Sequence, residues 1–170
     1  MKYILILFIT LFTLLNAENN IKIIAFAQDT MSNDFRKAQV FEAKDAASKY
    51  KDIKFVYSDA KGQTSLLIKQ IEKFILDKVD VIIVGTNDAQ AVVPIISKAY
   101  EQGIGVIILD RGIDGTNYSS FINSDNIKIG KIGAEYLAKK LNGKGEILLF
   151  EGLQKADVTH LRTKGFMDEI

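Results

Sequence analysis

From residue 21 onward the sequence alternates short apolar runs with longer amphipathic segments, and this alternation restricts the fold more than any other feature. Runs such as Val79–Val84 and Ile104–Leu109 are too short for helices and are rich in Val and Ile, which predicts strands. Residues 64–78 carry one apolar stripe at helical spacing beneath a charged face, which predicts a helix.

The continuous apolar runs indicate strands that are covered on both faces, hence a parallel sheet with helices on each side. Repeated βα units of this kind form an open, doubly wound α/β sheet. We expect residues 18–123 to complete one lobe and residues 124–170 to begin a second, truncated lobe, so the sequence is expected to be an N-terminal fragment. The predicted strands are 21–27, 53–57, 79–84, 104–109, 119–122 and 146–150, and the predicted helices are 34–49, 64–78, 88–102, 124–141 and one from 159.

Single residues mark the predicted helix boundaries. Asp88 is predicted to cap the third helix, Pro94 to lie early in it, and Gly103 to follow its end. Gly130 and Gly133 lie one turn apart and would permit close packing of the fourth helix.

The N-terminus predicts export. Lys2 precedes an apolar run from Ile4 to Leu15, and the small residue Ala17 precedes a polar stretch. This pattern predicts a secretory signal peptide over residues 1–17, cleaved after Ala17. The alternative is a membrane anchor, but a spanning helix needs about 20 apolar residues and this run is shorter.

The composition excludes several classes of function. The 22 basic and 21 acidic residues nearly balance, whereas a binder of nucleic-acid phosphates needs a basic face. No cysteine is present, so disulfides, thiolate metal sites and cysteine nucleophiles are excluded. His160 is the only histidine, which excludes a multi-histidine metal site. We therefore expect no metal, no cofactor and no nucleic-acid partner.

Polar segments follow the predicted strands, and ligands of open α/β sheets bind beyond the carboxyl ends of the strands. Neither a GxGxxG nor a GxxxxGK[ST] phosphate loop follows any strand, and no GxSxG motif is present. Asp110 and Arg111 leave the same strand end and together could bind vicinal hydroxyls, with Arg111 donating and Asp110 accepting. The alternative is that they form a structural ion pair.

The segment after the first strand supplies further candidates. Phe35 could place its ring against the C–H face of a sugar, while Asp29, Asn33 and Arg36 bind hydroxyls. The alternative is that Phe35 belongs to the core.

Two other kinds of chemistry have candidate residues. His160 stands alone beside a predicted helix start and is interpreted as a surface residue or one that supports the site from behind. Asp29, Asp110 and Glu151 lie near strand ends and could supply a carboxylate pair for glycoside hydrolysis, although nothing in the sequence selects an acid and a base.

A set of short motifs occurs in a fixed order along the chain. They are Ser32–Arg36, Ser58–Ala60, Val81–Asp88, Ile107–Arg111, Asn123–Asn126 with Gly130 and Gly133, and Arg162-x-x-Gly165-Phe166. In this order and spacing, residues 21–170 resemble the periplasmic sugar-binding proteins of ABC importers, of the ribose/galactose type that is also called periplasmic binding protein-like I. The resemblance covers about half of a family member.

The resemblance implies two lobes joined by three crossings, with the ligand in the cleft and the first crossing near residues 123–126. Arg36 stands where the ribose-type pattern has a second aromatic ring, and Gly85 stands where it has Asn, so the resemblance does not imply ribose itself. The residues that it implies as ligand contacts are Asp29, Asn33, Phe35, Arg36, Asp110, Arg111 and Arg162.

The function implied is that of a monomeric periplasmic protein without enzymatic activity, which captures a monosaccharide and delivers it to an ABC transporter permease. The main alternative is the extracytoplasmic sensing domain of a receptor or sensor kinase. The effector-binding core of a transcription repressor would need an N-terminal helix-turn-helix where the export signal stands. An exported hydrolase would need a carboxylate pair of the kind described above.

Overall fold

A computed structural model describes residues 21–170, so the predicted signal peptide lies outside the described residues. Five strands and five helices lie in this part of the chain, close to the predicted positions, and they alternate as far as the fourth strand. No helix within it is both long enough and apolar enough to cross a membrane. The strands are β1 (Lys22–Gln28), β2 (Ile53–Asp59), β3 (Val81–Gly85), β4 (Gly105–Leu109) and β5 (Ser120–Ile122), and the helices are α1 (Asp34–Ala47), α2 (Thr64–Leu76), α3 (Val93–Glu101), α4 (Asn126–Lys140) and α5 (Asp157–Glu169).

The strands form one parallel sheet in the order β2-β1-β3-β4-β5, which confirms the predicted doubly wound α/β fold. The chain steps from β1 to β2 in one direction and then returns past β1 to β3, β4 and β5. Because such crossovers are right-handed, α1 covers one face of the sheet, and α2 and α3 cover the other. All five strands therefore end at the same edge of the sheet.

The main core lies between the sheet and the α2–α3 face. Leu67 and Ile71 of α2 and Ile96 of α3 are buried there against alternate residues of the three central strands. Burying each of these side chains contributes about 1.5–3 kcal/mol, which supplies much of the stability of the lobe. The strand residues of this core, all with no exposed surface, are Ala25, Ala27, Ile82, Val84, Val106 and Ile108.

The predictions for the third helix are confirmed at Pro94 and Gly103 and wrong at Asp88. Pro94 lies in the first turn of α3, and Gly103 follows its end with a φ of +82°. Asp88 instead accepts a hydrogen bond from the backbone N–H of Ala91 at 3.0 Å, and α3 begins only at Val93. The carbonyl of Ala89 accepts a hydrogen bond from Asp114 N–H at 2.9 Å. A helix that began at Ala89 would need this carbonyl to accept from Val93 N–H instead.

The predicted strand at Glu146–Phe150 is absent from the structure. Strands need hydrogen-bonded neighbours, and no strand within residues 21–170 pairs with this segment. Its apolar side chains are exposed accordingly, Leu148 by 78% and Phe150 by 84%.

Helices α4 and α5 pack closely through glycines, as predicted for Gly130. A Cβ atom on Gly130 would overlap the backbone carbonyl of Arg162, and one on Gly165 would overlap the backbone of Ile127. Gly133 is different, since its Cβ would lie 3.8 Å from the ring of Phe166, an ordinary contact. The backbone of Arg162 is thus fixed against α4.

The two glycines of α4 provide a matched pair of substitutions. Gly130→Ala should lower the free energy of unfolding by about 1–3 kcal/mol, because the helices must move apart. Gly133→Ala should be neutral or stabilising by up to about 1 kcal/mol, because alanine favours the helix and fits. Urea unfolding of the full-length protein measures both, and equal effects would contradict the close contact at Gly130.

Candidate ligand-binding site

A cavity of about 390 Å³ opens at the edge of the sheet where the strands end. Six of the seven predicted contact residues line it, and the seventh, Asp29, lies buried behind Arg36 and Arg111. Val158 also lines it and was not predicted, although it stands four residues before Arg162 on α5 and so shares its helix face. The lining residues are Asn33, Phe35, Arg36, Asp110, Arg111, Val158 and Arg162.

Residues at the start of α1 form one wall of the cavity, and Asp29, which follows β1, lies buried behind them. The side chain of Asn33 caps α1 by accepting a hydrogen bond from Arg36 N–H at 2.9 Å. This cap fixes the first turn of the helix, which carries Phe35 and Arg36 side by side. The ring of Phe35 is 60% exposed, so the alternative that it belongs to the core is wrong.

Residues beyond the end of β4 form the opposite wall. Asp110 has a φ of +69°, a left-handed conformation that Asp tolerates better than most residues. Its backbone N–H donates to the carbonyl of Ile122 at 2.8 Å, which ties this turn to β5. The chain therefore turns sharply at Asp110, and both Asp110 and Arg111 face the cavity.

The two walls are connected by ion pairs. Arg36 Nη1 lies 3.1 Å from Asp110 Oδ2, and Arg111 Nη1 lies 3.5 Å from Asp29 Oδ2. Arg36 Nε is also 3.7 Å from Asp29 Oδ1. Asp110 and Arg111 thus pair with residues of the other wall. Because β3 separates β1 from β4 in the sheet, both pairs extend across the end of β3.

Burial differs sharply within this cluster of charges. The side chains of Asp29 and Arg36 are 2% and 3% exposed, whereas those of Asp110 and Arg111 are 22% and 21% exposed. Asp29 Oδ1 accepts no hydrogen bond from any group within residues 21–170. We call Asp29 and Arg36 the inner residues and Asp110 and Arg111 the outer residues. The inner residues pair with the outer residues, whose polar atoms remain partly open to the cavity.

Burial also shifts the pKa values of two groups in the cluster. It raises the pKa of the Asp29 carboxyl above its ordinary value of 3.8, although the charges of Arg36 and Arg111 act to lower it. Burial, followed by repulsion from Arg36, lowers the pKa of the Arg111 guanidinium below its ordinary value.

Arg162 enters the cavity from α5. Its Nε donates to the side-chain oxygen of Asn126 at 2.9 Å, and Asn126 is buried at the start of α4. Sequence reasoning did not assign Asn126 this role, because nothing local to it indicates a partner 36 residues away.

The candidate residues for other chemistry lie elsewhere or are otherwise engaged. His160 is exposed and lies 2.7 Å from the carbonyl of Gln154. Glu151 is exposed and accepts a hydrogen bond from Gln154, outside this cavity. Asp29 and Asp110 are both paired with Arg36. Within residues 21–170, no three His, Asp or Glu side chains are arranged to hold a metal ion.

The raised pKa of Asp29 predicts a specific pH dependence of stability. A carboxyl whose folded pKa exceeds its unfolded pKa binds its proton more tightly in the folded state, so this stabilisation is lost as the pH rises through the folded pKa. From pH 3.8 upward, the unfolding free energy of the wild type should fall relative to that of Asp29→Asn. Urea unfolding at a series of pH values measures the difference. A relative rise would mean that the two arginines outweigh burial.

Comparison with known proteins places this geometry in a family. Residues 24–170 match the periplasmic binding protein domain. The D-ribose/D-allose-binding protein of Pseudomonas aeruginosa is 29% identical over 154 residues, which cover 85% of this chain and 48% of that protein. The chain spans about half the length of the curated relatives it matches.

Two solved structures are also similar. The fructose-binding periplasmic domain of a hybrid two-component system is 31% identical with a TM-score of 0.84, covering 88% of this chain and 49% of that one. An ABC transporter solute-binding protein of Bacillus halodurans, with bound myo-inositol, is 29% identical with a TM-score of 0.84, covering 90% and 53%. The family predicted from the sequence motifs is confirmed, and the chain belongs to the periplasmic binding protein domain family.

Proposed function

We propose that the protein captures a monosaccharide in the cavity between α1, the end of β4 and α5, and delivers it to the permease of an ABC transporter. One observation carries this proposal. An exposed aromatic ring, Phe35, faces the same cavity as a partly open cluster of carboxylate and guanidinium groups. A sugar has both an apolar C–H face and a set of hydroxyls, so these two kinds of surface suit one ligand.

The outer residues provide complementary hydrogen-bonding groups. Asp110 can only accept, while Arg111 can only donate, so adjacent hydroxyls could each find a partner. Hydrogen bonds to charged groups are stronger than those between neutral groups. An unmatched buried polar group costs about 1–3 kcal/mol, so a sugar whose hydroxyls point elsewhere would bind poorly.

The charges of the cluster favour an uncharged ligand. The carboxylates of Asp29 and Asp110 balance the guanidiniums of Arg36 and Arg111, and they are already paired across the cavity. The cluster can therefore hydrogen-bond hydroxyls without needing a charge on the ligand.

Contacts from α5 supply the basis for closure. Val158 and Arg162 line the cavity opposite residues of α1 and β4, so a ligand would touch both groups of elements at once. A ligand that makes more contacts in the closed arrangement shifts the population towards it. We propose that the protein acts in the periplasm as a monomer and that the closed form docks on the permease.

A second candidate function is sugar sensing. The similarity to the fructose-binding periplasmic domain of a hybrid two-component system favours it. The same cavity would then bind the sugar, and closure would drive a signal instead of delivery.

Ligand binding is tested by a thermal-shift screen of the full-length protein against neutral monosaccharides, followed by calorimetry with the sugar that gives the largest shift. We expect Arg111→Ala and Asp110→Asn to abolish measurable binding without unfolding the protein, because each removes one of the two charged groups that are partly open to the cavity. Asn is chosen at position 110 because it tolerates the left-handed φ there. Lys98→Ala, which removes an exposed pair with Glu72, is the control and should bind normally. Unchanged affinity in the two site variants would remove these residues from the site, and no shift with any sugar would contradict the proposed function.

Transport and sensing are distinguished in cells that lack the gene. If the protein serves an importer, its deletion should abolish uptake of the labelled sugar at micromolar concentration, while Arg111→Ala should fail to restore it. Normal uptake together with loss of the transcriptional response to the sugar would favour sensing.

A further inference from the structure

Gln28, the last residue of β1, has a side chain with no exposed surface and no assigned role. It pairs in register with Gly85, the last residue of β3. A Cβ atom on Gly85 would overlap Oε1 of Gln28. The carboxamide of Gln28 therefore occupies the space that a side chain at position 85 would need.

The carboxamide of Gln28 is connected to the ion-pair cluster on both sides. Its Oε1 accepts a hydrogen bond from the backbone N–H of Asp29 at 3.2 Å. Its Nε2 donates to Oε1 of Gln39 at 3.1 Å and, at 3.4 Å, to the backbone carbonyl of Arg36. The same oxygen of Gln39 accepts from Arg36 Nη1 at 3.1 Å.

We propose that Gln28 is a positioning residue, which orients Gln39 so that its oxygen faces Arg36 and so holds the guanidinium of Arg36 against Asp110. The absence of a side chain at Gly85 provides the room for this arrangement. The effect on ligand affinity rests on the proposed function, whereas the effect on Arg36 does not.

The reason lies in the chemistry of the Gln39 side chain. A carboxamide has an accepting oxygen and a donating nitrogen of nearly the same shape, so it can present either one to a neighbour. Arg36 has only donors, and it needs the oxygen. Because Nε2 of Gln28 also donates, it favours the same orientation of Gln39. Without Gln28, only Arg36 itself holds the Gln39 oxygen in this orientation. The half-buried carboxamide of Gln39 is then less firmly fixed, so it holds the guanidinium of Arg36 less firmly against Asp110.

The arrangement also determines which strand ends meet the ligand. The carboxamide of Gln28, from β1, lies over Gly85 at the end of β3 and is hydrogen-bonded to Asp29 and Gln39. Neither Gln28 nor Gly85 lines the cavity. The end of β3 thus presents no side chain to the ligand at position 85, and contacts come from the flanking elements.

The test compares three variants of the full-length protein. Gln28→Leu removes the amide at similar size, and Gln70→Leu is the matched control because Gln70 donates one hydrogen bond to the carbonyl of Asp59 away from the cavity. The third variant combines Gln28→Leu with Gln39→Glu. Both oxygens of the carboxylate introduced at position 39 accept, so the orientation of that side chain no longer matters and it should hold Arg36 without help.

The readouts are the NMR signal of the Arg36 Nε–H group, assigned by its loss in Arg36→Lys, and affinity for the monosaccharide with the largest thermal shift. We expect Gln28→Leu to shift or broaden the Arg36 signal and to weaken affinity about tenfold, and we expect the double variant to recover both. Gln70→Leu should change neither. If Gln28→Leu fails to fold, Gln39→Leu removes the same acceptor from the half-buried side and should change the Arg36 signal in the same way.

An Arg36 signal that stays unchanged in Gln28→Leu, or that the double variant does not recover, would overturn the proposal. If the wild type binds no monosaccharide, the proposed function fails, but the Arg36 signal still decides the role of Gln28.

Discussion

The ion pair between Arg36 and Asp110 connects the two walls of the cavity, and the candidate site depends on it. Its two residues belong to α1 and to the end of β4, which lie on either side of β3. A parallel sheet brings these strand ends to one edge, but it does not by itself align their side chains. The pairing of Arg36 with Asp110, together with that of Arg111 with Asp29, fixes the separation of the walls and leaves one carboxylate and one guanidinium partly open between them.

This arrangement provides a preformed surface. Asp29 and Arg36 are almost completely buried, and removal of one partner of a buried pair costs about 3–5 kcal/mol because the other charge is left unpaired. The left-handed backbone at Asp110 adds strain of the kind that persists where surrounding structure enforces it. The polar atoms nearest the cavity are consequently held in place before any ligand arrives, which reduces the ordering that binding requires.

Local sequence signals predicted most of the fold and the candidate residues after β1 and β4, whereas the family resemblance implied Arg162 as a contact. Val79–Val84 and Ile104–Leu109 contain their own evidence for strands, and the polar residues after β1 and β4 must meet because parallel strands end together. The segment 146–150 carries the same local signal but no pairing strand within the described residues, so it is not a strand. The prediction for Asp88 was wrong because the carbonyl of Ala89 accepts a hydrogen bond from Asp114, 25 positions away. The position of Val158 in the cavity lining and the packing of Gln28 over Gly85 likewise depend on contacts that no local pattern reveals.

The central claim is that these strand-end residues form one half of a sugar-binding cleft. A crystal structure of the full-length protein with the monosaccharide that most raises its melting temperature tests this claim most directly. It should show the sugar ring against Phe35, with its hydroxyls within hydrogen-bond distance of Asp110 and Arg111. A sugar bound elsewhere, with the cavity beside Phe35 closed by the protein's own side chains, would contradict it.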